Sequence, residues 1–489
     1  MVLARKIAYN VVLNSLLKVV STVVLSLLSI RLMTGYLGQD GFGKYATILA
    51  FFAFFTAISD LGLGSVTARE ISREGADEGK ILGNVVALRL SSSLLLLVAA
   101  PLVMYAFDYS RDVEIGILVA ALAAAFSTLS FVLNAIFQKN LAMDRIAMVE
   151  FLGKLLQVGM IVLIVRQDWG FLPIACTLIV SLSFNSMVAL YLSKRYASFR
   201  LQFDTTYWKE FLRNSLPMGA TAIITFTYLK MDTILLSVLQ SNAHVGIYNV
   251  AYKIMENLVF FPAMLAGLIL PLLSRFIFTQ RERFVEIADK TFKVFFIAIV
   301  PIVSATWFLA GDIIAIVSGA GFQESVIVLR ILIFALAFIF FGSYFNMLLI
   351  VGNAQKKLMQ TLIFAAAFNL SLNLLLIPKF SYLGSASIAL ATEALVVCLT
   401  GFLTYRYIRY VPSFHNIPRV IFSGAVMSGA LFFLEPYSFF LSGIVSLAVY
   451  GSTLWLTRAI SADEIMSLFQ KGDNRALTNA EPIETNIIT

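Results

Sequence analysis

Apolar stretches of about 20 residues recur along the whole chain and constrain its fold more than any single motif does. A helix of that length crosses a hydrocarbon core of roughly 30 Å, whereas a barrel strand is about half as long and alternates in polarity. Of the 489 residues 60% are apolar and only 13% are charged, which leaves a soluble fold too few charges to cover its surface. The sequence therefore predicts an all-α membrane protein.

Fourteen such stretches can be delimited, and we expect each to form one transmembrane helix. Arg5 and Lys6 followed by apolar sequence resemble the start of a signal peptide, but the apolar stretch continues to about Leu32 and no small-residue cleavage site follows a short apolar region. The first stretch is therefore expected to be retained. The expected spans are 8–32, 42–64, 81–106, 113–137, 146–165, 171–193, 214–238, 247–273, 291–310, 325–350, 357–377, 383–405, 418–434 and 438–457.

Positive charge alternates between successive loops. With these spans, one set of loops together with both termini carries 25 Lys and Arg residues, and the opposite set carries 5. Because cytoplasmic loops collect Lys and Arg, we expect a multi-pass protein of the cell (inner or plasma) membrane with both termini in the cytoplasm. The same rule accounts for the net charge of +8, so nucleic acid is not an expected partner.

The chain contains an internal repeat. Residues 136–164 align without gaps on residues 349–377, an offset of 213, and Gly43-Lys44-Tyr45 matches Gly246-Ile247-Tyr248 at an offset of 203. An even number of spans separates the copies, which predicts two six-helix lobes (spans 1–6 and 7–12) of the same orientation around a central cavity, plus two extra C-terminal helices. The expected domains are an N-terminal lobe at 1–193, a cytoplasmic linker at 194–213, a C-terminal lobe at 214–409, spans 13 and 14 at 410–457 and a cytoplasmic tail at 458–489.

Catalysis and metal binding lack the residues they usually need. His244 and His415 are the only histidines, and the two cysteines lie in separate spans. We therefore expect no catalytic residue, no metal site and no cofactor, with coupling to a Na⁺ or H⁺ gradient left open.

Ionisable residues inside the spans are the functional candidates, because a charge at membrane depth is costly unless it is paired or wet. Cations at several depths in the first lobe favour a cavity that receives a phosphate-bearing headgroup. We expect substrate contacts from Lys18, Arg31, Arg89, Lys154, Lys253 and Arg330, with Lys230 a further basic candidate. The acidic candidates for binding a coupling ion are Asp60, Asp232, Glu256 and Glu393.

Spacing along the helices suggests which of these charges pair. Lys18 and Arg89 have no local partner, whereas Lys154 follows Glu150 by one turn, so a plain helix salt bridge is an alternative to a substrate contact there. Asp232 and Lys253 lie at similar depth on consecutive spans and could pair across the hairpin. Lys230 and Asp232 are about 200° apart on their helix and cannot share a face.

Four groups of residues resemble the polysaccharide-transporter branch of the MOP superfamily, the Wzx-type flippases. The first is Asn10, Asn14, Tyr36-Leu37-Gly38 and Gly41-Phe42-Gly43-Lys44-Tyr45; the second is Asp60-Leu61-Gly62-Leu63-Gly64 followed by Arg69. The third runs from Pro217 through Tyr228, Asp232, Val245-Gly246-Ile247-Tyr248, Ala251-Tyr252-Lys253 and Pro262 to Pro271; the fourth runs from Gly352 through Lys356, Asn369, Asn373 and Pro378 to Gly384.

The resemblance implies two lobes that move a polyprenyl-diphosphate-linked oligosaccharide from the cytoplasmic to the outer leaflet by alternating access. It places the chain in O-antigen, capsule or exopolysaccharide biosynthesis, with the lipid-linked oligosaccharide and the bilayer as partners and a glycan polymerase and other assembly proteins as further ones. The alternatives are a cation-coupled multidrug exporter, a peptidoglycan-precursor flippase, and a membrane glycan polymerase or ligase. Short outer loops and the lack of an Asp-x-Asp motif disfavour the enzyme.

Overall fold

The computed structural model describes residues 23–60, 62–434 and 437–459, and in that part of the chain every regular element is helical. The helices there are numbered in chain order. They are α1 (Leu25–Asp60), α2 (Leu63–Ile71), α3 (Glu78–Ala106), α4 (Arg111–Lys139), α5 (Met143–Gln167), α6 (Phe171–Ser193), α7 (Thr205–Leu239), α8 (Asn242–Leu258), α9 (Phe260–Phe276), α10 (Arg281–Ser318), α11 (Ser325–Val351), α12 (Gln355–Leu403), α13 (Ile417–Phe433) and α14 (Phe439–Leu456).

The prediction of an all-helical membrane protein is confirmed. Ten helical segments within the described residues are long and apolar enough to cross a membrane. Two of these segments each cover parts of two predicted spans. The segment α1 holds the end of span 1 and most of span 2, with a break at Gly38 (φ 64°), and the segment that contains α12 holds spans 11 and 12, with a break at Ser381 (φ 50°). The polar α7 and the short α13 correspond to the remaining predicted spans. Most of predicted span 1, with Asn10, Asn14 and Lys18, lies outside the described residues.

The internal repeat appears as two turns with the same hydrogen bonds. Between α4 and α5, Ala142 N–H donates to Phe137 O (2.9 Å) and Leu141 has a left-handed backbone (φ 51°). Between α11 and α12, Ala354 N–H donates to Leu349 O (2.8 Å) and Asn353 has φ 58°. Equivalent residues are 212 positions apart, so the ungapped sequence alignment at 213 is off by one residue. The two turns are helix caps of the same type at corresponding places of the two predicted halves, which fits the predicted repeat.

The two copies also touch at equivalent glycines. Helix α1 packs against α4 of its own half and against α7 and α8 of the second half. A Cβ on Gly43 of α1 would overlap the carbonyl oxygen of Asn242, and a Cβ on Gly246 of α8 would overlap the carbonyl oxygen of Gln39. The repeat therefore brings two backbones into direct contact at the end of the bundle that the charge pattern predicts to be outer, and only glycine fits there.

The chain forms two compact units. The first comprises the residues up to Arg281 together with Ala310–Tyr410 and holds both copies of the repeat. The second comprises Glu282–Leu309 and the residues from Val411 onward; in it α13 packs on α14, and Tyr450 donates a hydrogen bond to Ile297 O (3.0 Å). The predicted lobe boundaries at 193 and 214 stay a prediction. All the sites described below lie in the first unit.

The glycine contact yields a test. Ala46 is one turn from Gly43 and only 4% exposed, so a cysteine placed there, in a variant that lacks Cys176 and Cys398, reports whether the contact is closed. We expect Gly43→Ala and Gly246→Ala each to raise the rate at which a water-soluble maleimide labels this cysteine several-fold, because the added methyl group forces the helices apart.

Gly267→Ala is the matched control, because no atom lies within 4 Å of a Cβ built there. Unchanged labelling in both glycine variants would show that this contact does not close the bundle.

Candidate functional site

Three ionised side chains meet where α7 and α8 face α1. The Glu256 carboxylate lies 2.5 Å from Lys230 Nζ of α7 and 2.8 Å from Lys253 Nζ of α8. Lys253 and Glu256 are three residues apart on one helix face, and Lys230 also lies over the ring of Tyr252 (4.7 Å to its centre). Counted as formal charges, this lysine–glutamate cluster has two positive groups and one negative group.

Asp232 lies on another side of α7 and binds different partners. Its buried carboxylate accepts hydrogen bonds from the Tyr248 hydroxyl and from the Thr233 backbone N–H (2.8 Å). The predicted Asp232–Lys253 pair is wrong: Lys253 bonds to Glu256, three residues further along its own helix, and Asp232 is held by Tyr248 and Thr233. The prediction that Lys230 and Asp232 cannot share a face is confirmed, because they line different cavities.

Glu393 of α12 completes the acidic side of this region. It is buried next to the phenol of Tyr228. On the same helix, Asn369 donates a hydrogen bond to the Thr392 hydroxyl (3.2 Å), and Asn373 donates to Asn369 Oδ1 (3.0 Å). These carboxyl, amide and hydroxyl groups therefore bond to one another inside the second half of the fold, beside a pocket whose remaining lining is mostly apolar.

Two cavities meet at this cluster. One, of about 220 Å³, lies within the second half and is lined by Tyr228, Asp232, Glu393 and Asn369. The other, of about 230 Å³, lies between the two halves, where α1 residues Ala46, Leu49, Ala50, Phe52 and Ala53 face Lys230, Lys253, Thr233 and Asn249. Glu256 lines both. The carboxylate therefore lies in the wall between an acidic pocket and a basic one.

Arg89, expected to be a cavity-facing cation without a local partner, is paired instead. Its guanidinium is 1% exposed, donates to Ser59 O (3.0 Å) and forms a salt bridge with Asp60. Asp60, rather than Arg89, lines an open cavity of about 430 Å³ with Asn134 and Gln138. The expectation failed because the partner is 29 residues away, at the end of the preceding long helix.

Of the other residues predicted to contact the substrate, only one lies near the lysine–glutamate cluster in the described part of the chain. Lys154 of α5 donates to Gln157 (2.9 Å) and is close enough to Lys253 for their charges to repel, so it adds a third lysine to the region of the cluster. Arg31 is exposed near Gly319, and Arg330 is half-buried on α11; neither lines the two cavities that meet at Glu256. Glu150 lines a separate cavity of about 100 Å³. Lys18 lies outside the described residues.

Sequence reasoning left several residues of the site without a role. Lys230 was a basic candidate but was not chosen as a substrate contact. Tyr228, Tyr248, Tyr252 and Asn369 bond to or line the acidic pocket, and their presence among the motif residues was the available signal.

Comparison with known proteins finds a family whose sequence model matches this chain. Residues 3–277 match the model of a family described as polysaccharide biosynthesis proteins. Among curated protein sequences no significant match is found.

Solved structures share the fold at low sequence identity. The lipid II flippase MurJ, in an inward closed conformation, superposes with a TM-score of 0.76 at 15% identity over 96% of this chain and 100% of that chain. An inward-facing multidrug resistance MATE family transporter of the MOP superfamily superposes with a TM-score of 0.62 at 16% identity, over 79% of this chain and 93% of that chain. The MATE multidrug transporter DinF-BH superposes with a TM-score of 0.56 at 18% identity, over 83% of this chain and 96% of that chain. At these identities the similarity is one of fold.

The Arg89–Asp60 pair yields an asymmetric stability prediction. Asp60→Asn leaves the fully buried guanidinium without its counter-charge, so we expect a loss of about 3 kcal/mol in the free energy of unfolding. Arg89→Met should cost less, because Asp60 is 29% exposed and its charge can reach water.

The melting temperature in detergent measures the stability of both variants, with Asp112→Asn as a control that removes a half-exposed ion pair to Lys44. Equal melting temperatures for Asp60→Asn and the control would contradict a stabilising role for the pair.

Proposed function

The chain belongs to the polysaccharide biosynthesis protein family, and from that premise we propose that it is a flippase for a polyprenyl-diphosphate-linked oligosaccharide. It is a multi-pass, all-helical membrane protein with the fold of MOP superfamily transporters. The proposed step moves the headgroup from the cytoplasmic to the outer leaflet while the lipid tail stays in the bilayer. The observation that carries the proposal is the lysine–glutamate cluster in the cavity between the two halves.

Phosphate recognition is the chemistry that this cluster supports. Lys230 and Lys253 line the cavity, Lys154 lies nearby, and Glu256 is the carboxylate bonded to the first two. An ammonium group can direct several donors at phosphate oxygens and so replace the water that a diphosphate loses on leaving the aqueous phase. A net positive pocket inside a membrane protein therefore favours an anionic headgroup over a neutral one.

Alternating access follows from the size of the cavity. A space of about 230 Å³ holds several water molecules but not an oligosaccharide, so the halves have to separate to admit the cargo. The Gly43–Gly246 contact is the natural closure on the outer side in our proposed orientation. The two lobes, at 1–193 and 214–409, would rock about the cluster and open to one side at a time.

The surrounding assignments belong to the same proposal. The charge pattern supports a cell-membrane location with both termini in the cytoplasm. The family description supports work in O-antigen, capsule or exopolysaccharide assembly, together with a glycan polymerase and other assembly proteins. Asp232 and Glu393 are the proposed binding groups for a coupling Na⁺ or H⁺, since they line the acidic pocket next to the cluster.

The acidic pocket also favours a second candidate, export of an organic cation coupled to an ion gradient. Asp232, Glu256 and Glu393 with the aromatic side chains of Tyr228 and Tyr252 are groups that recognise such a cation. The lysines argue against it, because they place positive charge on the route between the halves. A peptidoglycan precursor is also a diphosphate, so the cluster supports that cargo equally and only the sugar can discriminate.

Transport in proteoliposomes tests the proposal. We expect wild-type protein to move a fluorescent polyprenyl-diphosphate oligosaccharide between leaflets, and Lys253→Gln to slow this at least about tenfold, because one charge-assisted contact to phosphate is lost. Lys290→Gln is the matched control, since Lys290 forms an exposed ion pair with Glu286 and neither residue lines the two cavities.

Each rival predicts a different result in the same vesicles. Movement of an organic cation but not of the lipid would favour the exporter, and turnover of the lipid-linked sugar in detergent would favour an enzyme. A peptidoglycan-type headgroup that outcompetes the oligosaccharide would reassign the cargo.

A further inference from the structure

Glu256 occupies the position that the proposed substrate would need. Its two carboxylate oxygens bond separately to Lys230 and Lys253, the lysines that line the cavity between the halves. Building on the proposed function, we infer that Glu256 is an exchangeable counter-anion: it neutralises the lysines in the unloaded transporter, and the substrate's phosphate displaces it.

The exchange is balanced in charge and in hydrogen bonds. A diphosphate carries more negative charge and more acceptor oxygens than one carboxylate, so it satisfies both ammonium groups when Glu256 leaves. The lysines can change partners in place, because an ammonium is a point charge with rotatable donors. Lys230 is also held over the Tyr252 ring and Lys253 by its helix, so the pair stays preformed.

Glu256 is more accessible than the other carboxylates at these cavities. It lies in the last turn of α8, three residues before Val259, the one residue that separates α8 from α9. The Glu256 side chain is 35% exposed, whereas Asp232 and Glu393 are buried. Of the three acidic residues at these cavities, Glu256 is the one with room to move.

A place to receive the released carboxylate exists on the other side. Glu256 already lines the cavity inside the second half, beside Tyr228, Tyr252 and Asn369, whose hydroxyl and amide groups bond to Glu393, to Leu229 O and to Thr392. Asp232 and Glu393 line the same cavity, so the arriving carboxylate meets an acidic lining there and is favoured beside the two lysines instead. The displaced state therefore lasts only while phosphate holds the lysines.

Competition from Glu256 keeps the affinity of the site for its substrate low enough for the substrate to be released. A substrate that must displace an internal anion binds less tightly than one that meets free lysines, and a transport site needs binding strong enough to load and weak enough to unload. A neutral headgroup cannot displace Glu256. The same residue thus sets both the selectivity for anionic headgroups and the rate of release.

The test separates binding from turnover. We expect Glu256→Gln to bind radiolabelled polyprenyl diphosphate about tenfold more tightly than wild type and to transport a polyprenyl-diphosphate oligosaccharide more slowly, because the competing anion is gone. Lys230→Gln should bind about tenfold more weakly. Glu286→Gln, at an exposed pair, is the control and should match wild type in both measurements.

Tighter binding by Glu256→Gln together with weaker binding by Lys230→Gln would support the exchange, because a purely structural role of the ion pair would weaken binding in both variants. Where Glu256→Gln alone lowers the melting temperature in detergent, the double variant Lys230→Gln/Glu256→Gln restores the balance of charge and should bind more tightly than Lys230→Gln. Equal or weaker binding by Glu256→Gln, and no gain in the double variant, would overturn the exchange and leave the flippase intact. Failure of wild-type protein to bind the diphosphate at all would overturn the flippase and with it the exchange.

Discussion

A peptide group in hydrocarbon has no water to bond with, and a charge there has no solvent to stabilise it. The first constraint makes every regular element of the described chain a helix. The second requires each ionised side chain among those helices to find a partner, and the partners define the interior: Arg89 with Asp60, Lys230 and Lys253 with Glu256, and Asp232 with Tyr248. The candidate site is the place where this pairing is incomplete, since two lysines share one carboxylate beside a cavity.

Duplication explains where that place lies. Turns of the same type at Leu141 and Asn353 stand at corresponding places of the two halves, and the equivalent glycines Gly43 and Gly246 bring α1 and α8 together. Between these two helices lies the cavity that Lys230, Lys253 and Glu256 line. A contact between equivalent helices can open and close without a change in either half, which suits a transporter that binds its cargo between them. The charged groups therefore lie where movement of the halves would expose them in turn.

Sequence alone predicted the class of fold, the repeat and the segments that carry the charges, because these depend on hydropathy and loop charge, which are local. It missed by one residue the offset of the repeat, which the hydrogen bonds of the two turns determine. It also left Arg89 without a partner and paired Lys253 with Asp232. Arg89 bonds to Asp60, 29 residues earlier, and that choice depends on how helices pack, which a single sequence does not show. The Lys253–Glu256 pair follows ordinary helical spacing and was within reach of the sequence.

The central claim is that a diphosphate binds at the lysine–glutamate cluster between the two halves. The most direct measurement is a cryo-electron microscopy structure of the protein with a bound polyprenyl-diphosphate oligosaccharide. The account predicts phosphate density within hydrogen-bonding distance of Lys230 and Lys253, with the Glu256 carboxylate turned away from both. Phosphate density at another site, with both Glu256 ion pairs intact, would contradict it.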